Sequence, residues 1–297
     1  MRARMKRRQR VRNLTIVVTV IVIAISLVVG FYFALGTGTT ALDKFDNQPV
    51  SLADMATIYQ ISHAAFGPSG SSLLISSGSS ANLQTASGAP YTANGKPVVV
   101  YIGGDFCPYC AAERWALLIS LSRFGNFTNL HYMTSANDEG DYATFTFTGS
   151  NYTSKYVSFQ PFEQENRDNS PKQAVPSNYS AGFDNSYPFV NFGNSYILHT
   201  LIPDPQILSG KNWTQIFSEI STGDTTGTTI QEGANAVTAL ICKILPASDA
   251  STPAGSVCSD YSIATTTIGL AGPFNASQTL LATPDSLPAI RTPGRAR

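Results

Sequence analysis

A run of β-branched residues that leads straight into a Cys-x-x-Cys pair leaves this chain few folds to choose from. Residues 97–102 read PVVVYI. So short and continuous an apolar run predicts a strand buried on both faces. Gly103-Gly104-Asp105-Phe106 turns the chain, and Cys107-Pro108-Tyr109-Cys110 opens a helix that the pattern carries to about Phe124. Ala111, Trp115, Leu118 and Leu121 share one face of it, and Gly125-Asn126 ends it. A second buried strand is predicted over 129–134 (NLHYMT). Strand, helix and strand in that order predict a parallel pair.

The helix start is where chemistry concentrates. The first N–H groups of a helix lack intrahelical partners, and its dipole adds about half a positive charge there. Both favour a thiolate and lower a cysteine pKa from about 8.5 to roughly 3.5–7.5. Pro108 suits the first helical position, where its missing N–H would be unpaired anyway. Cys107 is then the attacking thiolate and Cys110, one turn further in, the resolving thiol. Two plainer readings stand beside this one, a fixed structural disulfide and half of a zinc site. Zinc needs two more Cys or His ligands, usually as a second close pair. The other cysteines, Cys242 and Cys258, have 15 residues between them. They are expected to form a structural disulfide in a C-terminal helical region, as an oxidising compartment permits; a second redox relay is the alternative. No metal or cofactor is expected, and His63, His131 and His199 each fit a packed position better than a catalytic one.

Elsewhere, residues 51–66 read as a helix capped by Ser51, with Asp54 in its first turn. A short strand is predicted at 71–76 and a loop over 77–96. Alternating aromatic and Thr residues over 141–160 suggest an extra hairpin or strand pair, and 163–180 is polar and loop-like. Residues 189–192 and 196–202 flank Gly193-Asn194-Ser195, a hairpin signature because Gly and Asn adopt positive φ. Pro188 precedes that hairpin in an X-Pro bond with Tyr187, the kind of bond that reaches the cis form at modest cost. Residues 213–220 and 229–245 read as helices, and 283–297 as a disordered tail.

Together these pieces resemble the thioredoxin superfamily. The matching parts are PVVVYIGG, Phe106-Cys107-Pro108-Tyr109-Cys110, the helix after it, the strand near His131, and Tyr187-Pro188-Phe189-Val190-Asn191-Phe192 with Gly193. The phrase FCPYCAAERWALLISLSRFG looks most like an archaeal family of membrane-anchored proteins of unknown function with a thioredoxin-like domain. The resemblance runs through residues 43–245, with 140–186 longer than a minimal thioredoxin needs. It implies an α/β fold, a thioredoxin-like mixed sheet with flanking helices and inserted elements. It also implies Pro188 as a cis-proline beside the two sulfurs, and Tyr187 offering its backbone edge to an extended substrate peptide. There are departures. Pro-Tyr separates the cysteines, Phe106 precedes them, and Tyr101 stands where thioredoxin has a buried acid. Glu113 and Asp105 are the candidates for proton handling at Cys110.

Residues 14–35 (LTIVVTVIVIAISLVVGFYFAL) are 22 residues without a charge, and about 20 cross the hydrocarbon core of a bilayer. Seven of the 19 basic residues fall in the first twelve positions, and no acidic residue precedes Asp43. Residues 1–13 are therefore expected in the cytoplasm, 14–35 as one transmembrane helix and 43–282 outside as a thioredoxin-like domain with a C-terminal helical extension. A cleaved signal peptide competes with this, though its apolar stretch is about 7–15 residues. The remaining chain holds 12 basic and 19 acidic residues, which argues against nucleic acid as a partner. Charged residues make up only 13%, against about 25% in typical domains, a balance that suits a cell-surface protein. Asn126, Asn151, Asn178, Asn212 and Asn275 begin glycosylation sequons beyond the anchor. The sequence thus leads to a membrane-anchored thiol–disulfide oxidoreductase acting on exported proteins or peptides. The alternative is a cell-surface binding or scaffold domain in which Cys107–Cys110 is a fixed bridge.

Overall fold

The computed structural model describes residues 42–64, 67, 83–202 and 204–266. The apolar run 14–35, the strand expected at 71–76 and the tail 283–297 lie outside them. Among the described residues no helix is long and apolar enough to cross a membrane. The chain divides into two units, Met1–Lys44 and Phe45–Arg297, and the elements described below all belong to the second.

At the centre of that unit is β3 (Lys96–Gly103). Val98, Val99, Val100, Tyr101 and Ile102 have no exposed surface, as the run of β-branched residues predicts. Burying a side chain of this size contributes about 1.5–3 kcal/mol. On one side β3 pairs antiparallel with β9 (Phe189–Phe192). The chain turns there through Gly193 and Asn194, both at positive φ, into β10 (Tyr196–His199). The expected hairpin is therefore present, and β1 (Leu83–Thr85) pairs with β10 beyond it. The first residues of β3 pair antiparallel with β2 (Thr92–Ala93), and on its other side β3 pairs parallel with β8 (Ser158–Glu163). The result is a mixed six-stranded sheet among the described residues.

Two expectations are corrected. The stretch 77–96 is not all loop, since it holds β1 and β2. These strands are two or three residues long and exist through pairing with distant strands, which local composition does not reveal. The parallel partner of β3 is β8 and not the stretch 129–134. Pro161 interrupts β8 in sequence, but a proline is tolerated in an edge strand, where its missing N–H faces away from the ladder. The stretch 129–134 instead yields β5 (His131–Thr134), paired antiparallel with β6 (Ala143–Thr146). Next to this ladder in sequence, β4 (Gly125–Thr128) pairs antiparallel with β7 (Asn151–Ser154). The residues before α1 also join in, because Val50 N donates to the Leu130 carbonyl and Asn47 N to the Tyr132 carbonyl.

Helices flank these strands. In α1 (Leu52–His63) the Ser51 hydroxyl accepts the Asp54 N–H at 3.0 Å, the cap the sequence predicts. The helix after β3 is α2 (Pro108–Ser122), and every residue from Cys110 to Ser122 is buried. A one-sided apolar stripe was the sequence expectation. The whole circumference is covered because β6 lies against one side and α4 (Thr225–Ile244) against another. Trp115 Nε1 donates to the Ala143 carbonyl at 2.9 Å, which gives the buried indole its acceptor. Arg123 Nη1 donates to Thr238 Oγ1 at 2.6 Å. Gly233 on α4 lets the helices close, since a Cβ there would stand 3.2 Å from Ala116 Cβ. Between them in sequence, α3 (Trp213–Thr222) begins with a reciprocal Asn212–Gln215 capping box and ends at the left-handed Gly223. On the sheet face of Val98, Val100 and Ile102, cover comes from Phe162, Tyr179, Phe183 and Tyr187, side chains of β8 and of the long segment after it.

Cys242 near the end of α4 is disulfide-bonded to Cys258 in α5 (Pro253–Ser259), with Cα atoms 5.7 Å apart. Closing a loop of this length constrains the unfolded chain by about 3 kcal/mol on the chain-entropy model. A Cys242→Ala/Cys258→Ala double variant is expected to lose about that much unfolding free energy in urea titrations; an unchanged midpoint would show that the bond adds no stability.

Candidate functional site

Cys107 is the N-cap of α2, with extended backbone at φ −70° and ψ 122°. Its sulfur accepts the Cys110 N–H at 3.2 Å, so it occupies the place of a capping oxygen. Pro108 follows at the helix start, as expected. Cys107 and Cys110 are both free thiols. Their environments push them apart. A hydrogen bond from the Cys110 side chain, helped by the Cys110 N–H and the Arg114 charge, holds the Cys107 pKa below its ordinary value against the opposing effect of burial. Burial comes first at Cys110 and raises its pKa well above the usual range, and the Cys107 sulfur beside it adds to the rise. One sulfur therefore ionises before the other, as a nucleophile and a resolving thiol require.

Neither sulfur is open to solvent. Cys107 is 4% exposed and Cys110 fully buried, whereas Tyr109 between them is 40% exposed. The half-buried rings of Phe106 and Tyr187 meet edge to face near the motif, with centroids 6.2 Å apart. Antiparallel pairing of β3 with β9 ends at Ile102 and Phe189. One step further along the register, Gly103 falls opposite Pro188. The Tyr187–Pro188 bond is cis. The Tyr187 hydroxyl lies 2.9 Å from Gln164 Oε1 and 3.1 Å from Glu165 Oε1. Burial raises the Tyr187 pKa, and the two cysteines contribute to that rise, so this residue sits within electrostatic reach of both sulfurs.

Beneath the cysteines lies a buried ionic group that the sequence reading missed. Arg114 Nε donates to Glu163 Oε1 at 2.9 Å and Nη2 to Glu163 Oε2 at 2.8 Å, with both side chains fully buried. Nη2 also donates to the Gly104 carbonyl at 2.8 Å. The guanidinium lies over the Tyr101 ring, 5.8 Å from its centroid. Asp105 stands 3.9 Å from Arg114 Nη2 and pairs with Lys172. Asp105 and Lys172 also line a cleft of about 650 Å³, together with Asp46, His131 and Arg167. The available clue was Arg114 four residues after Cys110, one turn along the same helix side. Its partner Glu163 ends a strand that Pro161 concealed.

The two sequence candidates for proton handling point elsewhere. Glu113 Oε2 accepts the Leu201 N–H at 3.1 Å, and Asp105 is held by Lys172. Of the histidines, His63 Nδ1 bonds the Tyr59 carbonyl, His131 Nδ1 bonds the Asn129 carbonyl, and His199 stacks edge-on against Phe189. Cys242 and Cys258 are consumed by their mutual bond. Among the described residues no cluster of three or more His, Cys, Asp or Glu is arranged to hold a metal.

The fold and site define a mixed α/β domain carrying an electrostatically asymmetric dithiol at a helix N-terminus. Residues 82–181 match the family model described as a domain of unknown function, DUF929. That stretch includes Cys107, Cys110, Arg114 and Glu163 and stops short of Tyr187–Pro188. Comparison with curated proteins and with solved structures found no match.

Two measurements follow from the buried charges. Removing one partner of a buried ion pair strands the other, so Glu163→Ala is expected to cost about 3–5 kcal/mol of stability. An Arg114→Met/Glu163→Leu double variant should recover most of that; equal losses in both would locate the effect in packing. Burial raises the Glu113 pKa from an ordinary 4.5 to about 7. The folded state thus prefers the protonated acid. Its full contribution holds below about pH 4.5, falls as pH rises through about 7, and amounts to about 3 kcal/mol in all. Denaturant titrations across that window should show the decline in the parent chain and not in Glu113→Gln.

Proposed function

We propose that this chain is a membrane-anchored, extracytoplasmic thiol–disulfide oxidoreductase of thioredoxin-like fold, acting on exported protein or peptide substrates. The observation that carries the reading is the unequal pair at the start of α2. Cys107 is held toward the thiolate by hydrogen bonding at the helix cap, and Cys110 is kept as a thiol by burial. The sheet supports it. Its order β10-β9-β3-β8, with β3 and β8 parallel and β9 antiparallel to both neighbours, is a mixed sheet with flanking helices, as the resemblance implies. The cis Tyr187–Pro188 bond entering β9 is a further point of agreement.

In this reading the Cys107 thiolate attacks one sulfur of a substrate disulfide. A Cys107–substrate bond forms, the substrate S–S bond breaks, and the released substrate sulfur leaves with the electron pair and takes a proton from water. Cys110 then displaces the second substrate sulfur and closes the Cys107–Cys110 bond. Run backwards, the same steps oxidise a substrate dithiol, so oxidase, reductase and isomerase share this machinery and the redox poise of the compartment selects the direction. The backbone beside Pro188 and the Tyr187 edge would hold the peptide. The uncharged run 14–35 behind its basic flank would anchor the domain outside the cytoplasm, where the Cys242–Cys258 disulfide is at home.

One observation favours the alternative of a non-catalytic binding or scaffold domain, the 4% exposure of Cys107. Alkylation separates the two. In the folded, reduced chain, iodoacetamide near neutral pH should label Cys107 and spare Cys110, as read by mass spectrometry. Both thiols silent until denaturation would leave the scaffold reading standing. A Cys110→Ser variant expressed in its native membrane should accumulate mixed disulfides through Cys107, and none should form with Cys107→Ser.

A further inference from the structure

The Cys110 thiol already has hydrogen bonds with Cys107 and the Gly104 backbone, and beside it lies a buried hydroxyl that has none. Gly103 closes β3 immediately behind the motif. A Cβ added there would meet the Tyr101 hydroxyl at 2.1 Å and the Cys110 sulfur at 3.2 Å. The two atoms therefore border the same small space, which is open only because residue 103 is glycine. The Tyr101 hydroxyl is fully buried and has no hydrogen-bond partner among the described residues. Burying a hydroxyl without a partner costs about 1–3 kcal/mol, so an acceptor is wanted at that point. Arg114, Phe147, Gly103 and Cys110 surround the ring and its hydroxyl. Arg114 has only donors and Phe147 is apolar, so of these groups the sulfur is the side-chain acceptor.

We propose that the Tyr101 hydroxyl, which has no partner beside the reduced pair, donates to the Cys110 sulfur once that sulfur ionises and positions it for the resolving step. The proposal rests on the exchange reading given under Proposed function. The step starts from a mixed disulfide between Cys107 and a substrate cysteine. Cys110 loses its proton to water, and its thiolate, held by the phenol O–H, attacks the Cys107 sulfur. The Cys107–Cys110 bond forms, the Cys107–substrate bond breaks, and the substrate sulfur departs with the electron pair as a thiolate. The cysteine pair is oxidised and the substrate reduced. Tyr101 keeps its proton throughout, because burial holds its pKa well above the ordinary value, with Cys110, Glu163 and Cys107 adding to the rise and Arg114 opposing it. A donor that stays protonated favours the Cys110 thiolate. Removing it should raise the pH at which Cys110 becomes reactive, with Cys107, Arg114, Glu163 and Tyr187 as the other charged or titratable groups around the pair.

The test uses the full chain, reduced, and 5,5′-dithiobis(2-nitrobenzoate). Attack by Cys107 releases one nitrothiobenzoate, and resolution by Cys110 releases the second, so absorbance at early and late times reads the two thiols separately. Tyr101→Phe removes only the hydroxyl. The expected result is a first phase within about twofold of the parent and a second phase slowed about tenfold near neutral pH, its pH midpoint moved up by about one unit, the shift that a tenfold change in ionisation corresponds to. An unchanged second phase, or both phases slowed alike, overturns the assignment while leaving the exchange reading intact. A parent chain without a first phase overturns both. Should the variant not fold, the parent alone decides. An oxidised-minus-reduced infrared difference spectrum should contain a tyrosine C–O band that shifts when Cys110 is consumed, and a flat spectrum there refutes the proposal.

Discussion

The pair between Arg114 and Glu163 is what ties the site to its scaffold. It joins the helix that begins at Cys107 to the edge strand that runs parallel to β3, and through Gly104 it also fixes the turn between them. Two bonds in parallel from a planar guanidinium to one carboxylate set an orientation as well as a distance. With both charges fully buried, desolvation offsets much of their attraction, so their value lies in geometry more than in net stability. A helix held this way keeps its first turn, and hence the Cys107 cap, in a fixed place relative to the strand ends.

That constraint explains how two cysteines three residues apart acquire different chemistry. Cys107 sits where a helix lacks partners for its first N–H groups, and its sulfur accepts one of them. Cys110 lies one turn inward, surrounded by packed side chains, and burial dominates its ionisation. Arg114 acts on both, lowering each pKa, but at Cys110 it is outweighed by desolvation. The same low-dielectric surroundings make Glu113 a carboxyl that titrates near neutrality with a single backbone partner. Ionisable groups on α2 are governed by which side of the helix they occupy, because neighbours cover the helix all the way round.

Much of the fold was legible in order along the chain. The buried strand 97–102, the capped helix starts at Ser51 and Cys107, the Gly193–Asn194 turn and the pairing of Cys242 with Cys258 all depend on a few adjacent residues or on a spacing. Elements whose existence depends on remote partners were not legible. β8 was hidden by Pro161, and β1 and β2 are too short to register a period. β5 carries a strand-like composition that fits a local hairpin with β6 as well as it fits a parallel partner for β3. Composition reports that a segment favours extension but not which neighbour it pairs with.

At the site, the sequence alone marked the two sulfurs of the proposed exchange and indicated why one would ionise first. A cysteine followed by proline at a helix start carries its electrostatics with it, since the unpaired N–H groups and the dipole are properties of any helix end. The tertiary structure decided everything that needed a second segment: Glu163 under Arg114, Tyr187 within electrostatic reach of the sulfurs, Tyr101 and Cys110 at one glycine, and the near-closure of the Cys107 sulfur. These depend on how strands 60 to 90 residues apart in the chain come into register. Register is set by the packing of the whole sheet, and no local run of residues encodes it.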